Sequence, residues 1–142
     1  MNGAVGSLRP GCPCGSGSPL DACCGRLLRG AARARTAEEL MRSRYTAYAV
    51  GGTQGRDHLF RTWHPRTRPD RVEVTPDVRW TRLEVLETQR GGEDDQDGVV
   101  AFAAHHERTD VTGGAGVLRE RSAFGRRAGH WVYVGEVGAS SA

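Results

Sequence analysis

Two helices followed by an antiparallel meander, an α+β plan, is the architecture expected of this 142-residue chain. Three observations carry that expectation. Residues 36 to 65 place their apolar side chains at helical spacing, and from about residue 72 the chain alternates in period two between polar, glycine-rich loops. All four cysteines fall between positions 12 and 25. The first two describe helices on the concave side of a curved antiparallel sheet, and the third a small N-terminal metal knuckle. The expected organisation is a flexible tail over 1–11, a zinc knuckle over 12–25, a basic connector over 26–36, an α+β cone domain over 37–137 and a flexible tail over 138–142.

The cysteines come first in the chain, as CPCGSGSPLDACCG, with ligand spacing C-x-C-x(8)-C-C. The N-terminus, MNGAVGSLRPG, lacks the charged and apolar regions of a secretory signal, and no apolar run reaches the length of a membrane span. A cytoplasmic location follows as the expectation, and there thiols stay reduced. Adjacent Cys23 and Cys24 could not pair with each other without strain. A redox role would place C-x-x-C beside a βαβ unit, which the pattern lacks. A metal ion remains: four thiolates close a tetrahedral zinc site with no open position, and the ion supplies folding energy that so short a segment cannot draw from a core. Cys12, Cys14, Cys23 and Cys24 are the expected ligands of one structural zinc. Pro13 stiffens the first pair, Gly15 and Gly17 allow the sharp turn, and Arg9, Arg26 and Arg29 can offset the negative charge of the cluster.

RLLRGAARAR follows as a short connector, weakened as a helix by Gly30. Thr36 then caps AEELMRSRYTAYA, with Glu39 completing a capping box and Leu40, Met41, Tyr45, Tyr48 and Ala49 forming the apolar stripe. The glycines of VGGTQG end that helix. A shorter one is expected in RDHLFRTWHP, stopped by Pro65. The strands are RWTRLEVLETQ, GVVAFAAHHER, VLRERSAF and HWVYVGEV, joined by two polar loops and the tight turn GRRAG.

Composition excludes several chemistries. All 20 cationic residues are arginine, so a Schiff-base lysine, a P-loop lysine and a lysine general base are absent. No G-x-S-x-G, H-E-x-x-H or G-x-G-x-x-G pattern occurs. The net charge of +3 falls by two once four thiolates hold one zinc, so no specific DNA binding is expected. A curved sheet around a helix leaves a concave pocket, and its candidate residues are Arg44, Tyr45, Trp63, His64 and Glu120. Leu118, Glu120, Ser122 and Phe124 share the inward side of their strand, and Arg44 leans from the helix toward it, so Arg44 and Glu120 are expected to pair. His105 and His106 are neighbours on a strand and face opposite sides, one of them exposed. Arg26, Arg29, Arg33 and Arg35 form the one local basic patch, beside the knuckle.

The cysteine segment resembles the SEC-C zinc motif found at the C-terminus of the SecA translocation motor. It matches C-P-C-G-S-G-x(5)-C-H/C-G with cysteine in the last ligand position, and departs with Ser18, Pro19 and Leu20 where related motifs carry lysines and an aromatic. ELMRSRYTAYA, RTWHP, RERSAF and HWVYVGE, in that order, resemble the YchJ family of bacterial SEC-C proteins. That resemblance implies a cone similar to nuclear transport factor two and a metal role for the four cysteines. Members elsewhere often carry a second zinc motif at the C-terminus, and this sequence ends in VGASSA. The family brings no established reaction. The expected function is a zinc-stabilised binding or adaptor module that meets protein or ribosome-like partners through the knuckle and its arginines. The alternative is a small-molecule binder or acid/base enzyme using the concave pocket.

Overall fold

The structure, a computed structural model, describes residues 11–138. The tails expected over 1–11 and 138–142 lie, apart from their inner ends, outside the described residues, as does Arg9.

A single 3-10 turn over Leu20–Ala22 leads into α1 (Cys24–Leu28), which crosses from the last two cysteines into the basic stretch. Arg29 closes it and Gly30 turns the chain with φ +76°. Helix α2 spans Ala37–Val50 and starts where its cap predicts: Thr36 Oγ1 accepts from Glu39 N at 3.0 Å. The reciprocal bond differs from the expected box. Glu39 Oε1 accepts from Arg35 N at 2.7 Å, one residue ahead of the cap, so the carboxylate tethers the connector to the helix.

Gly51, with φ +63°, ends α2, and α3 (Gly52–Arg61) begins at once, earlier than the expected RDHLFRTWHP. It also stops before Pro65. Thr62 Oγ1 donates to His58 O at 2.7 Å, and backbone bonds to a strand then take over: Tyr133 N to Thr62 O at 2.7 Å and His64 N to Tyr133 O at 2.8 Å.

The sheet is a four-stranded meander, β1 (Val78–Arg90), β2 (Asp97–Arg108), β3 (Ala115–Arg127) and β4 (His130–Glu136), antiparallel throughout in the order β1-β2-β3-β4. Residues 72 to 77, where the change to a strand pattern is expected, are irregular, and β1 opens at Val78, one residue ahead of the expected RWTRLEVLETQ. Pro76 has no N–H for a ladder there. Bulges between Trp80 and Arg82, between Val85 and Glu87, and between Ala123 and Phe124 bend the sheet and break strict alternation in β1. The turn from β3 to β4 is only Ala128-Gly129, both at positive φ, tighter than GRRAG implies.

Helix α2 lies in the concavity of this sheet and is enclosed by it, by α3 and by the N-terminal segment. Leu40, Met41 and Tyr45 are buried, and so are Ser43, Arg44 and Thr46. The helix is seated by Gly91 in the β1–β2 loop, whose carbonyl accepts from Ala37 N at 2.9 Å. Gly91 has φ +84°, and a Cβ there would stand 2.8 Å from the Ala37 methyl, so only glycine fits. One core runs through the whole assembly: Cys12, Cys14, Cys24 and Leu28 share it with Leu40, Met41, Tyr45, Leu83, Phe124 and Trp131. No helix among the described residues is long and apolar enough to cross a membrane.

Candidate functional site

Two sites flank α2, one on each side. On the first, Cys12 N donates to Ser18 O and Gly15 N to Cys12 O, folding the segment back through Gly15 (φ +83°) and Gly17 (φ +90°). Cys23 then ends the 3-10 turn and Cys24 opens α1. The four sulfurs lie within 4.8 Å of one another, with Cys14 and Cys23 Sγ at 3.6 Å. A tetrahedron with metal–sulfur bonds of about 2.3 Å needs sulfurs about 3.8 Å apart, so the donor set fits an ion of that kind. The cysteines are unpaired as disulfides, and all but Cys23 are buried.

Their neighbours set the acidities of the thiols, and so the hold on their protons, apart. The hydrogen bond from Cys24 pushes Cys14 down to about 4, while the same bond and burial push Cys24 up, and burial pushes Cys23 up. An ion bound here would displace those protons. The surroundings serve the sulfurs as well. Thr46 Oγ1 lies 3.7 Å from Cys12 Sγ, Ser16 Oγ lies 3.1 Å from Cys23 Sγ, and Arg42 Nη1 donates to Cys14 O at 2.8 Å. Arg26 Nε donates to Cys23 O at 2.8 Å and its Nη2 to Glu39 at 2.8 Å.

Arg42 and Thr46 were not among the expected site residues. Their signal is helical: Glu39, Arg42 and Thr46 stand at i, i+3 and i+7, one stripe of α2 turned toward the N-terminal segment. The basic patch is partly spent. Arg26 pairs with Glu39 and Arg35 with Glu93 at 3.0 Å, whereas among the described residues Arg29 donates only to the Asp21 carbonyl at 3.3 Å.

On the other side, Met41, Arg44, Tyr45 and Tyr48 of α2 form the ceiling of a cavity of about 290 Å³. Its walls are Trp63, Trp80, Phe102, Ala104, Leu118, Glu120, Ser122, Phe124 and Tyr133. Four expected residues meet here: Arg44, Tyr45, Trp63 and Glu120. His64 does not line it; its Nδ1 accepts from Arg66 N at 3.1 Å.

Arg44 and Glu120 do not form the expected ion pair. Arg44 Nη1 donates to Leu59 O at 2.9 Å and Thr62 Oγ1 at 2.7 Å, and the guanidinium lies 4.9 Å from the Trp63 ring centre and 4.7 Å from that of Tyr133. Glu120 Oε2 accepts from Ser122 Oγ at 2.6 Å and from Tyr133 Oη at 2.9 Å. Tyr133 therefore links the two, its ring to the cation and its hydroxyl to the carboxylate. The register of β4 on β3, shifted by the Ala123–Phe124 bulge, brings it there. Burial pushes Arg44 down to about 10 and Tyr133 up, the latter aided by the Glu120 charge. Tyr45 reaches toward both sites. Its ring stands edge-on to Trp80, its hydroxyl is buried without a hydrogen-bond partner among the described residues, and burial with the Cys14 thiolate pushes it up to about 12.

The two strand histidines face opposite sides as expected, but both are half-buried. His105 Nε2 meets Glu84 at 2.8 Å, whereas His106 lies 5.2 Å from the Trp80 ring.

Comparison with known proteins matches residues 36–136 to the middle, NTF2-like domain of YchJ. A UPF0225 protein of Streptomyces coelicolor is 47% identical over 124 residues, covering 87% of this chain and 92% of its own length. One from Chromobacterium violaceum is 48% identical over 130 residues, covering 89% and 91%. The solution structure of a SEC-C motif containing protein from Rhodopseudomonas palustris superposes with a TM-score of 0.73 at 32% identity, over 88% of this chain and 95% of the other. A crystal structure of a SEC-C motif containing protein from Psychrobacter arcticus shares the fold, with a TM-score of 0.66 at 24% identity over 87% and 79%.

Proposed function

This chain belongs to the YchJ-like UPF0225 family of SEC-C motif proteins, and from that premise we propose that it is a zinc-stapled binding protein whose cone holds a small ligand. Cys12, Cys14, Cys23 and Cys24 hold one structural zinc, since four thiolates favour a soft ion and close the site to any substrate. The ion fastens the N-terminal segment to α2, and α2 roofs the cavity. The observation that carries the ligand reading is a mostly aromatic cavity into which a buried cation and a carboxylate open without pairing to each other.

The test is a nuclear magnetic resonance fragment screen on the zinc-loaded chain, with Ala104→Leu to fill the cavity. Saturable shifts at cavity residues, lost in A104L while zinc content holds, are the expected result. Hits that bind A104L equally well would contradict it.

A second reading, contact with a protein or ribosome-like partner through the knuckle and its basic flank, draws on Arg29 and Arg33. Arg33 is exposed and has no side-chain partner among the described residues, and Arg29 has no carboxylate. Co-sedimentation with purified ribosomes checks it: binding should be lost in Arg29→Glu with Arg33→Glu, and binding that persists would dismiss this surface.

A further inference from the structure

We propose that the cavity ligand is a small planar carboxylic acid, held by Arg44 at one end and offering a hydrogen-bond donor to Glu120 at the other. This rests on the cavity being the binding site. The donors come first. Arg44 is 6% exposed, yet among the described residues only its Nη1 has acceptors, and both are neutral oxygens. Trp63 and Tyr133 lie against the guanidinium, their ring centres 4.9 and 4.7 Å from it, and Arg44 lines the cavity with Nη2 and Nε free of acceptors among the described residues. Parallel N–H donors on a planar cation match the two oxygens of a carboxylate. A buried guanidinium without an anion is expensive to maintain, and a ligand carboxylate would relieve that cost.

Charge selects a monoanion. Among the described residues the cavity has a single cation, and it holds Glu120 as well, so a dianionic phosphate would meet a like charge, with no lysine in the chain to offset it. Shape selects a flat body. Trp63, Trp80, Phe102 and Tyr133 present rings to a space of about 290 Å³, near the lower end of ligand pockets and suited to one or two rings. At the far end Glu120 Oε2 is taken by Ser122 and Tyr133, and Oε1 has no partner among the described residues. It can accept from a ligand hydroxyl or amine. Tyr48, also on the ceiling, has a hydroxyl with no hydrogen-bond partner among the described residues and can donate to the same carboxylate as Arg44.

The test titrates the zinc-loaded chain with 4-hydroxybenzoate, benzoate, benzyl alcohol and benzamidine, following amide shifts. 4-Hydroxybenzoate should bind in the cavity at least about tenfold more tightly than the alcohol or the amidine. Arg44→Lys, which keeps charge but loses the fork, should weaken both acids about tenfold. Glu120→Gln should erase the preference for 4-hydroxybenzoate over benzoate. Should R44K fail to fold, judged by zinc content and spectral dispersion, Tyr48→Phe takes its place, with an expected weakening of about fivefold. Cavity binding of benzyl alcohol or benzamidine in preference to the acids would overturn the inference and leave ligand binding standing. Failure of all four to reach the cavity would overturn it along with the binding reading. Acid affinities that do not change in R44K, or in Y48F where that variant stands in, would also overturn it.

Discussion

His58 is 2% exposed and meets Ser43 Oγ at 2.8 Å, inside the contact between α2 and α3. Burial first, and then the Arg61 and Arg44 charges, push its pKa from 6.5 down to about 3. The unfolded chain takes up a proton below about 6.5 that the folded chain refuses until about 3, so stability falls with acidification across that window. The slope is roughly 1.4 kcal/mol per pH unit at most. Urea unfolding of wild type against His58→Gln between pH 6.5 and 5 should show a shallower slope in the variant; equal slopes would remove His58 as the cause. At this scale the sequence was readable where chemistry is local. Four cysteines within a few turns of chain do bring their sulfurs within 4.8 Å of one another. Arg44 and Glu120 both line the cavity, but their partners depend on register. Tyr133 arrives from β4 and Thr62 from the end of α3, positions that no short-range pattern encodes.

Elements were legible to the extent that they cap and alternate themselves. Thr36 marks the start of α2, and strand periodicity places four strands in order. The early start of α3 at Gly52 was hidden, because a glycine pair reads as a break rather than a hinge between abutting helices. Bulges were hidden too, since an extra residue in β1 looks like ordinary irregularity until its partner strand is known. The least local device is the seat of α2 on Gly91. Gly91→Ala places a methyl 2.8 Å from the Ala37 Cβ at φ +84°, and should cost about 2–3 kcal/mol. Thr36→Ala removes one cap bond, and should cost about 1 kcal/mol. Chemical denaturation of both variants checks the ordering, and a G91A loss no larger than that of T36A would contradict the proposed seat.

Across the whole molecule, α2 is a partition. Glu39, Arg42 and Thr46 face the cysteines, while Met41, Arg44, Tyr45 and Tyr48 face the cavity. The curved sheet around a helix was legible from the pattern of strands and helices. The sharing of one core by the cysteine segment and the cone was not, because Cys12, Cys14 and Cys24 read as ligands rather than as buried packing. That sharing sets a global consequence. Stripping the ion should lower the melting temperature of the entire domain rather than loosen the N-terminus alone. A loss of even about 3 kcal/mol moves the midpoint by roughly 10 °C in a chain this size. A midpoint unchanged after chelation would show that the staple is dispensable to the cone.

The most direct measurement is the metal content of the chain purified without chelators, paired with the absorption spectrum after replacement by cobalt. The four-thiolate staple predicts about one equivalent of zinc per chain, with intense sulfur-to-cobalt charge-transfer bands that vanish in Cys14→Ser. A well-folded chain carrying less than about half an equivalent, with all four thiols free to react, would contradict it.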